Sequence, residues 1–201
     1  MKTFREFLNE ASLGRFYQHY QNKEPILFIS ADRGENDNVQ NNKNFELLKR
    51  HIKLSGFGYN KIKGGYIENG KRIDSENSLV IYASHDQEQE LLDLGMSLGK
   101  YFKQDSIMFI DNNNNVYWIS TRNDSSIGSI GTKKKLGKFK TNQINDFFTK
   151  IGNKIFKFDE LKESDIYYPS LREKQLSKWY YDHLIKDRDN IVEVWENKLE
   201  K

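Results

Sequence analysis

With 201 residues, no cysteine and a net charge of only +3, the chain excludes a disulfide framework, a zinc–thiolate site and a cysteine nucleophile. Its charge balance by itself names no partner. Charged residues make up 30% of the chain, yet 13 Phe, 11 Tyr and 3 Trp argue for an aromatic-rich core and against disorder, and no apolar run approaches the ~20 residues that span a bilayer, so no membrane partner is expected.

Taken in order, Phe4, Phe7, Leu8 and Ala11 fall at helical spacing and make one apolar stripe, with Lys2, Arg5, Glu6 and Asn9 off it. Gly14 weakens the pattern, and Phe16, Tyr17 and Tyr20 suggest a second short helix. Pro25 precedes Ile26-Leu27-Phe28-Ile29, a continuous apolar run expected of a strand buried on both faces. The polar stretch from Ser30 to Asn44 reads as a loop, and a helix carrying Phe45, Leu48 and Ile52 follows until Gly56 and Gly58.

Residues 58–70 read as a strand broken at Gly64-Gly65, and Ser78 to Ser84 as a second buried strand. A helix is expected from about Gln87 to Phe102, then strands at 106–110 and 116–119 joined by a hairpin loop of Asp111 and four asparagines. Thr121 to Lys140 reads as a Gly-rich basic loop, with a helix around Gln143 to Ile151 and a last strand at Lys154 to Phe158. The expected organisation is a helical segment at 1–23, an α/β domain at 24–160 and a charged, aromatic helical extension at 161–201. The fold class is α/β: one domain, a mixed sheet, helices on its faces.

The four histidines show no metal-ligand spacing, and each reads as surface or structural, with His85, at a strand's carboxyl end beside Asp86, the one best placed for a ligand crevice. No metal and no cofactor is expected. The stretch from Ser30 to Asn44 offers Ser30, Asp32, Arg33, Glu35, Asn41 and Asn44, with Arg33 suited to an anion, although the same composition suits an ordinary Asx-rich surface loop. Gly128 to Lys140 fits neither the P-loop nor the dinucleotide glycine pattern. Between Gly128 and Phe158 there are 8 Lys against one acidic residue, Asp146. Lys133, Lys134, Lys135, Lys138 and Lys140 therefore suit either phosphate backbones of DNA or a solvated face, and the two weigh evenly.

Two resemblances follow from these residues. The body of the chain, about residues 25–120, resembles a family of uncharacterised phage and bacterial domains. The matching positions are Ser30, Ala31, Arg33, Glu35, Asn41, Asn44, Gly56, Gly58, Gly65, Tyr66, Glu68, Glu76, Ser78, Gln104, Asp105 and Ser106. That resemblance implies one α/β domain and supplies no established activity or catalytic role. Because the polar matches flank strands, Ser30, Arg33, Glu35, Asn41, Asn44, Glu68, Glu76, Ser78, Gln104 and Asp105 form a candidate crevice for a small anionic or nucleotide-like ligand.

The opening MKTFREFLNEA is similar to the capsid-targeting peptides of internal head proteins in T4-like phages. That similarity implies cleavage within Leu8-Asn9-Glu10, after Glu10, leaving Ala11 first, with head scaffold or capsid proteins as partners. Three functions are thus expected in turn: a virion-head protein of unknown activity, located in the head interior or host cytoplasm; an enzyme or binding protein for a nucleotide-like or phosphorylated ligand; and a non-specific DNA-binding accessory protein. The oligomeric state is left open.

Overall fold

The computed structural model describes residues 14–68, 71–138, 147–151, 154–156, 166–167, 182 and 186; the side chains of 63–76 and of 147 onward, apart from 182 and 186, lie outside that description. Residues 14–21 form helix α1. Then follow β1 (Ile26–Ser30), α2 (Asn38–Leu54), β2 (Gly58–Glu68), β3 (Lys71–Tyr82), a 3-10 turn (His85–Gln87), α3 (Glu88–Tyr101), β4 (Ser106–Ile110), β5 (Val116–Ser120), β6 (Lys133–Gly137), β7 (Phe147–Ile151), β8 (Lys154–Phe156) and β9 (Ile166–Tyr167).

The strands form one sheet in the order β8-β7-β2-β3-β1-β4-β5-β6-β9. The chain is the α/β domain its pattern implies, and the strands it pairs within the described residues all run antiparallel. β1 lies between β3 and β4, and its whole apolar run is buried because both faces of the sheet are covered. Leu27 and Ile29 point to one core with Phe45, Leu48 and Ile52 of α2 and Leu91, Leu94 and Leu98 of α3. Ile26 and Phe28 point to the other, where Phe16 of α1 packs with Val80, Tyr82 and Ile110. The strand period of two thus serves two cores at once.

Three local features differ from the sequence pattern. α2 starts at Asn38 and not at Phe45, because the Asp37 carboxylate accepts from Gln40 N at 2.7 Å and caps the helix. The Lys133–Gly137 segment, expected as loop, is strand β6 paired to β5. Residues 147–151, expected as the end of a helix, are strand β7 paired to β2. Phe-Phe-Thr-Lys-Ile is aromatic and β-branched, and that preference prevails over the helical spacing. The remainder of the expected helix, and most of the 161–201 extension, fall outside the described residues, apart from β9 and the single positions 182 and 186.

Candidate functional site

The polar residues gather at one end of the sheet, where β1 finishes, β4 begins and β5 finishes. Ser30 pairs with Ser78 across the β1–β3 ladder, and Ser106 with Ser120 across β4–β5. In the β2–β3 ladder, Ile62 faces Ser78 but Gly64 faces Ser75, so β3 bulges by one residue at Glu76 and Asn77. Bulges turn side chains out of the regular alternation beside functional sites. Here Asn77 reaches the loop after β1: its O accepts from Ser30 Oγ at 3.0 Å, and its Nδ2 donates to Asp32 Oδ1 at 3.2 Å.

The loop after β1 is braced from two more elements. Asn41, in the first turn of α2, accepts from Arg33 N at 3.0 Å and donates to Arg33 O at 3.1 Å. Gln104, just before β4, donates to Asp32 O at 3.1 Å. The Arg33 guanidinium donates to Glu35 Oε1 at 2.5 Å through Nε, and its NH1 donates to Lys103 O. Lys103 sits at φ 52 in the turn that ends α3, where Gln104 N donates to Gly99 O at 2.8 Å and Lys103 N to Lys100 O at 3.1 Å.

A second loop, after β5, closes on the same end. Asp105 Oδ2 accepts from Ser125 Oγ at 3.1 Å and from Ser126 Oγ at 3.0 Å. Thr121 Oγ1 donates to Gln104 O at 2.5 Å. Arg122 pairs with Asp124, as Arg33 does with Glu35. The two pairs feel each other. The Arg33 guanidinium and, more weakly, Arg122 hold the Glu35 carboxyl below its usual range. Arg122 chiefly, with Arg33 further off, does the same for Asp124. The site end therefore alternates positive and negative charge over Arg33, Glu35, Arg122, Asp124 and Asp105.

Of the candidate residues, the fold brings Ser30, Arg33, Glu35, Asn41, Ser78, Gln104 and Asp105 to this one end. Asn44 stands apart on α2, where it accepts from Gln40 at 2.9 Å. Glu76 lies in the bulge beside Asn77, and Glu68 lies at the far end of the β2–β3 hairpin, about 20 Å of strand beyond Ile62. The side chains of both are outside the described residues. Sequence reasoning missed Asn77, Thr121, Arg122 and Asp124. Arg122-Asn-Asp repeats the Arg-x-acid spacing of Arg33-Gly-Glu and was the available signal.

The basic run does not form one patch. Lys133, Lys134 and Lys135 are successive residues of β6, facing Ile119, Trp118 and Tyr117, so their side chains alternate between the sheet's faces. Lys133 lies near Asp93 of α3, on the first core's side, whereas Lys134 is paired to Trp118, which packs on the second core. Lys138 follows exposed, and Lys140 lies outside the described residues, as do Leu8, Glu10 and Ala11 of the expected processing site. Among the described residues no three His, Cys, Asp or Glu side chains are gathered so as to hold a metal ion.

Residues 27–159 match the S-Adenosylmethionine lyase family. No curated protein matches the chain. The matched span covers nearly all of the region similar to a phage and bacterial family, and it overturns the reading as a virion-head protein of unknown biochemical activity, since the family is one of enzymes. It runs from β1 through β8 and contains both loops of the polar end. On that match, the chain belongs to the S-adenosylmethionine lyase family.

Proposed function

We propose that the protein is a lyase acting on S-adenosylmethionine, and that the polar end of the sheet takes the substrate. The match over residues 27–159 carries this reading. The chemistry of the site supports it. S-Adenosylmethionine presents a carboxylate, an ammonium, a sulfonium, a ribose and an adenine. The sheet end presents a guanidinium, carboxylates, and the amides and hydroxyls of Asn, Gln and Ser.

A lyase breaks its bond without water or oxidant. The sulfonium makes that feasible, because its sulfur leaves as a neutral thioether. When the substrate's own carboxylate oxygen bonds to the γ carbon, the γ carbon–sulfur bond breaks. A five-membered lactone and methylthioadenosine result, with charge conserved and no proton transferred. The protein's task is then to hold the methionine chain curled and to keep water out. Fixing such an intramolecular geometry is worth about 7–11 kcal/mol of barrier in favourable cases.

The test is chromatography of S-adenosylmethionine incubated with the purified chain. Expected is stoichiometric conversion to methylthioadenosine, slowed by about tenfold or more in Gln104→Ala, which unties Asp32 from the β4 entry. Unchanged substrate, with the protein folded, would refute the reading.

A further inference from the structure

We infer that Arg33 is the docking point for the substrate's carboxylate, and that Glu35 occupies that point in the free protein and yields it on binding. The inference rests on the S-adenosylmethionine reading above and assigns the residue that recognises the amino-acid end.

The two partners are held very differently. Arg33 is fixed from several sides: its backbone N and O are both tied to the Asn41 side chain at 3.0 and 3.1 Å, and its NH1 is tied to Lys103 O. Its side chain is 19% exposed, whereas that of Glu35 is 62% exposed. Glu35 is only two residues along the same loop, so the pair is a local one at the edge of solvent. Such exposed pairs contribute little to stability, and opening one is cheap. The guanidinium left behind is a planar fork that matches a carboxylate, and it is already oriented.

Exchange of one carboxylate for another also conserves charge at the site. The displaced Glu35 remains ionised at neutral pH, since a solvent-exposed carboxyl titrates far below it. Asp124, 72% exposed in its pair with Arg122, lies in the same field. Together they keep the rim negative, which suits the cationic sulfonium of the same ligand. The class of ligand selected is a nucleoside bearing an α-amino acid, in preference to the bare nucleoside.

Two unreactive ligands separate the roles. S-Adenosylhomocysteine keeps the amino-acid end but carries a neutral thioether, and methylthioadenosine lacks the amino-acid end. Inhibition constants for both, with KM for S-adenosylmethionine, are measured on the full chain and on R33M, R33K and E35Q. R33M should weaken S-adenosylhomocysteine by about tenfold or more and methylthioadenosine by less than about threefold, with R33K between. E35Q should bind S-adenosylhomocysteine as tightly as the wild type or up to about fivefold more tightly, because the internal competitor has lost its charge. Equal weakening of both ligands in R33M, or a tenfold loss in E35Q, would overturn the inference while turnover by the wild type left the lyase reading standing. A wild-type chain that neither cleaves nor binds S-adenosylmethionine would remove both.

Discussion

Arg33 and Glu35 are both visible in the sequence as polar residues after an apolar strand. What the sequence conceals is that their positions depend on Asn41, Lys103 and the bulge at Asn77, which are 8, 70 and 44 positions from Arg33. The pairing carries a pH dependence with a definite sign. Glu35 and Asp124 have their carboxyl groups lowered from ordinary values of 4.5 and 3.8, chiefly by Arg33 and Arg122. Their stabilisation is therefore full above the unfolded carboxylate range and is lost as pH falls below it. The difference in thermal midpoint between wild type and E35Q should stay flat from about pH 7 to pH 5 and shrink below about pH 4.

Tyr117 has the opposite sign. Burial chiefly, then the nearby Asp111 carboxylate, pushes its hydroxyl from 10.0 up to about 12. That hydroxyl donates to Asp111 Oδ2 at 3.3 Å. Its stabilisation is present below the unfolded value and is lost as pH rises through the folded one. Ultraviolet titration should show that Tyr117→Phe removes an ionisation step near pH 12.

At the scale of elements, α3 is set against the sheet by two glycines. A Cβ on Gly95 would fall 2.8 Å from Leu27 Cδ1, and one on Gly99 would fall 2.5 Å from Thr121 Cγ2. Thr121 is buried and branched, and its hydroxyl is tied to Gln104 O, so it cannot easily give way. Gly99→Ala should destabilise by about 1–3 kcal/mol in urea titration and should also disturb the site, because Thr121 and Gln104 are shared. The cap is a milder case. Asp37→Ala should cost about 1 kcal/mol, and by fraying the turn that holds Asn41 it should raise KM for S-adenosylmethionine more than Gly95→Ala does.

Short apolar runs were the easiest to read, since the length of β1 and β4 alone suits a strand. β6 was not legible. Lys-Lys-Lys looks like a charged loop in one dimension, and only pairing to β5 shows a strand that sends alternate lysines to opposite faces. β7 was not legible either, because its aromatic spacing also fits a helix and its partner β2 lies some 80 residues earlier.

For the whole molecule, strand order decides where the site can be. Placing β1 centrally, with β3 and β4 antiparallel on either side, brings the end of β1, the bulge in β3, the start of β4 and the end of β5 to one edge. Neighbouring strands such as β4 and β5 can be paired from the sequence by their short loop. The β3–β1–β4 arrangement cannot, since it depends on which long-range pairs bury most surface. Ser30, Gln104 and Asp105 were recognisable as candidates, but their convergence follows from that order. Lys133 to Lys135 illustrate the converse, a cluster in sequence that the sheet divides.

The central claim is that the chain cleaves S-adenosylmethionine without water. Turnover in water enriched in the heavy oxygen isotope, with mass analysis of the four-carbon product at early times, tests it most directly. The account predicts methylthioadenosine and a lactone that carries no solvent oxygen. A four-carbon product that holds one solvent oxygen from its first appearance, formed at the rate of turnover, would make the enzyme a hydrolase and contradict it.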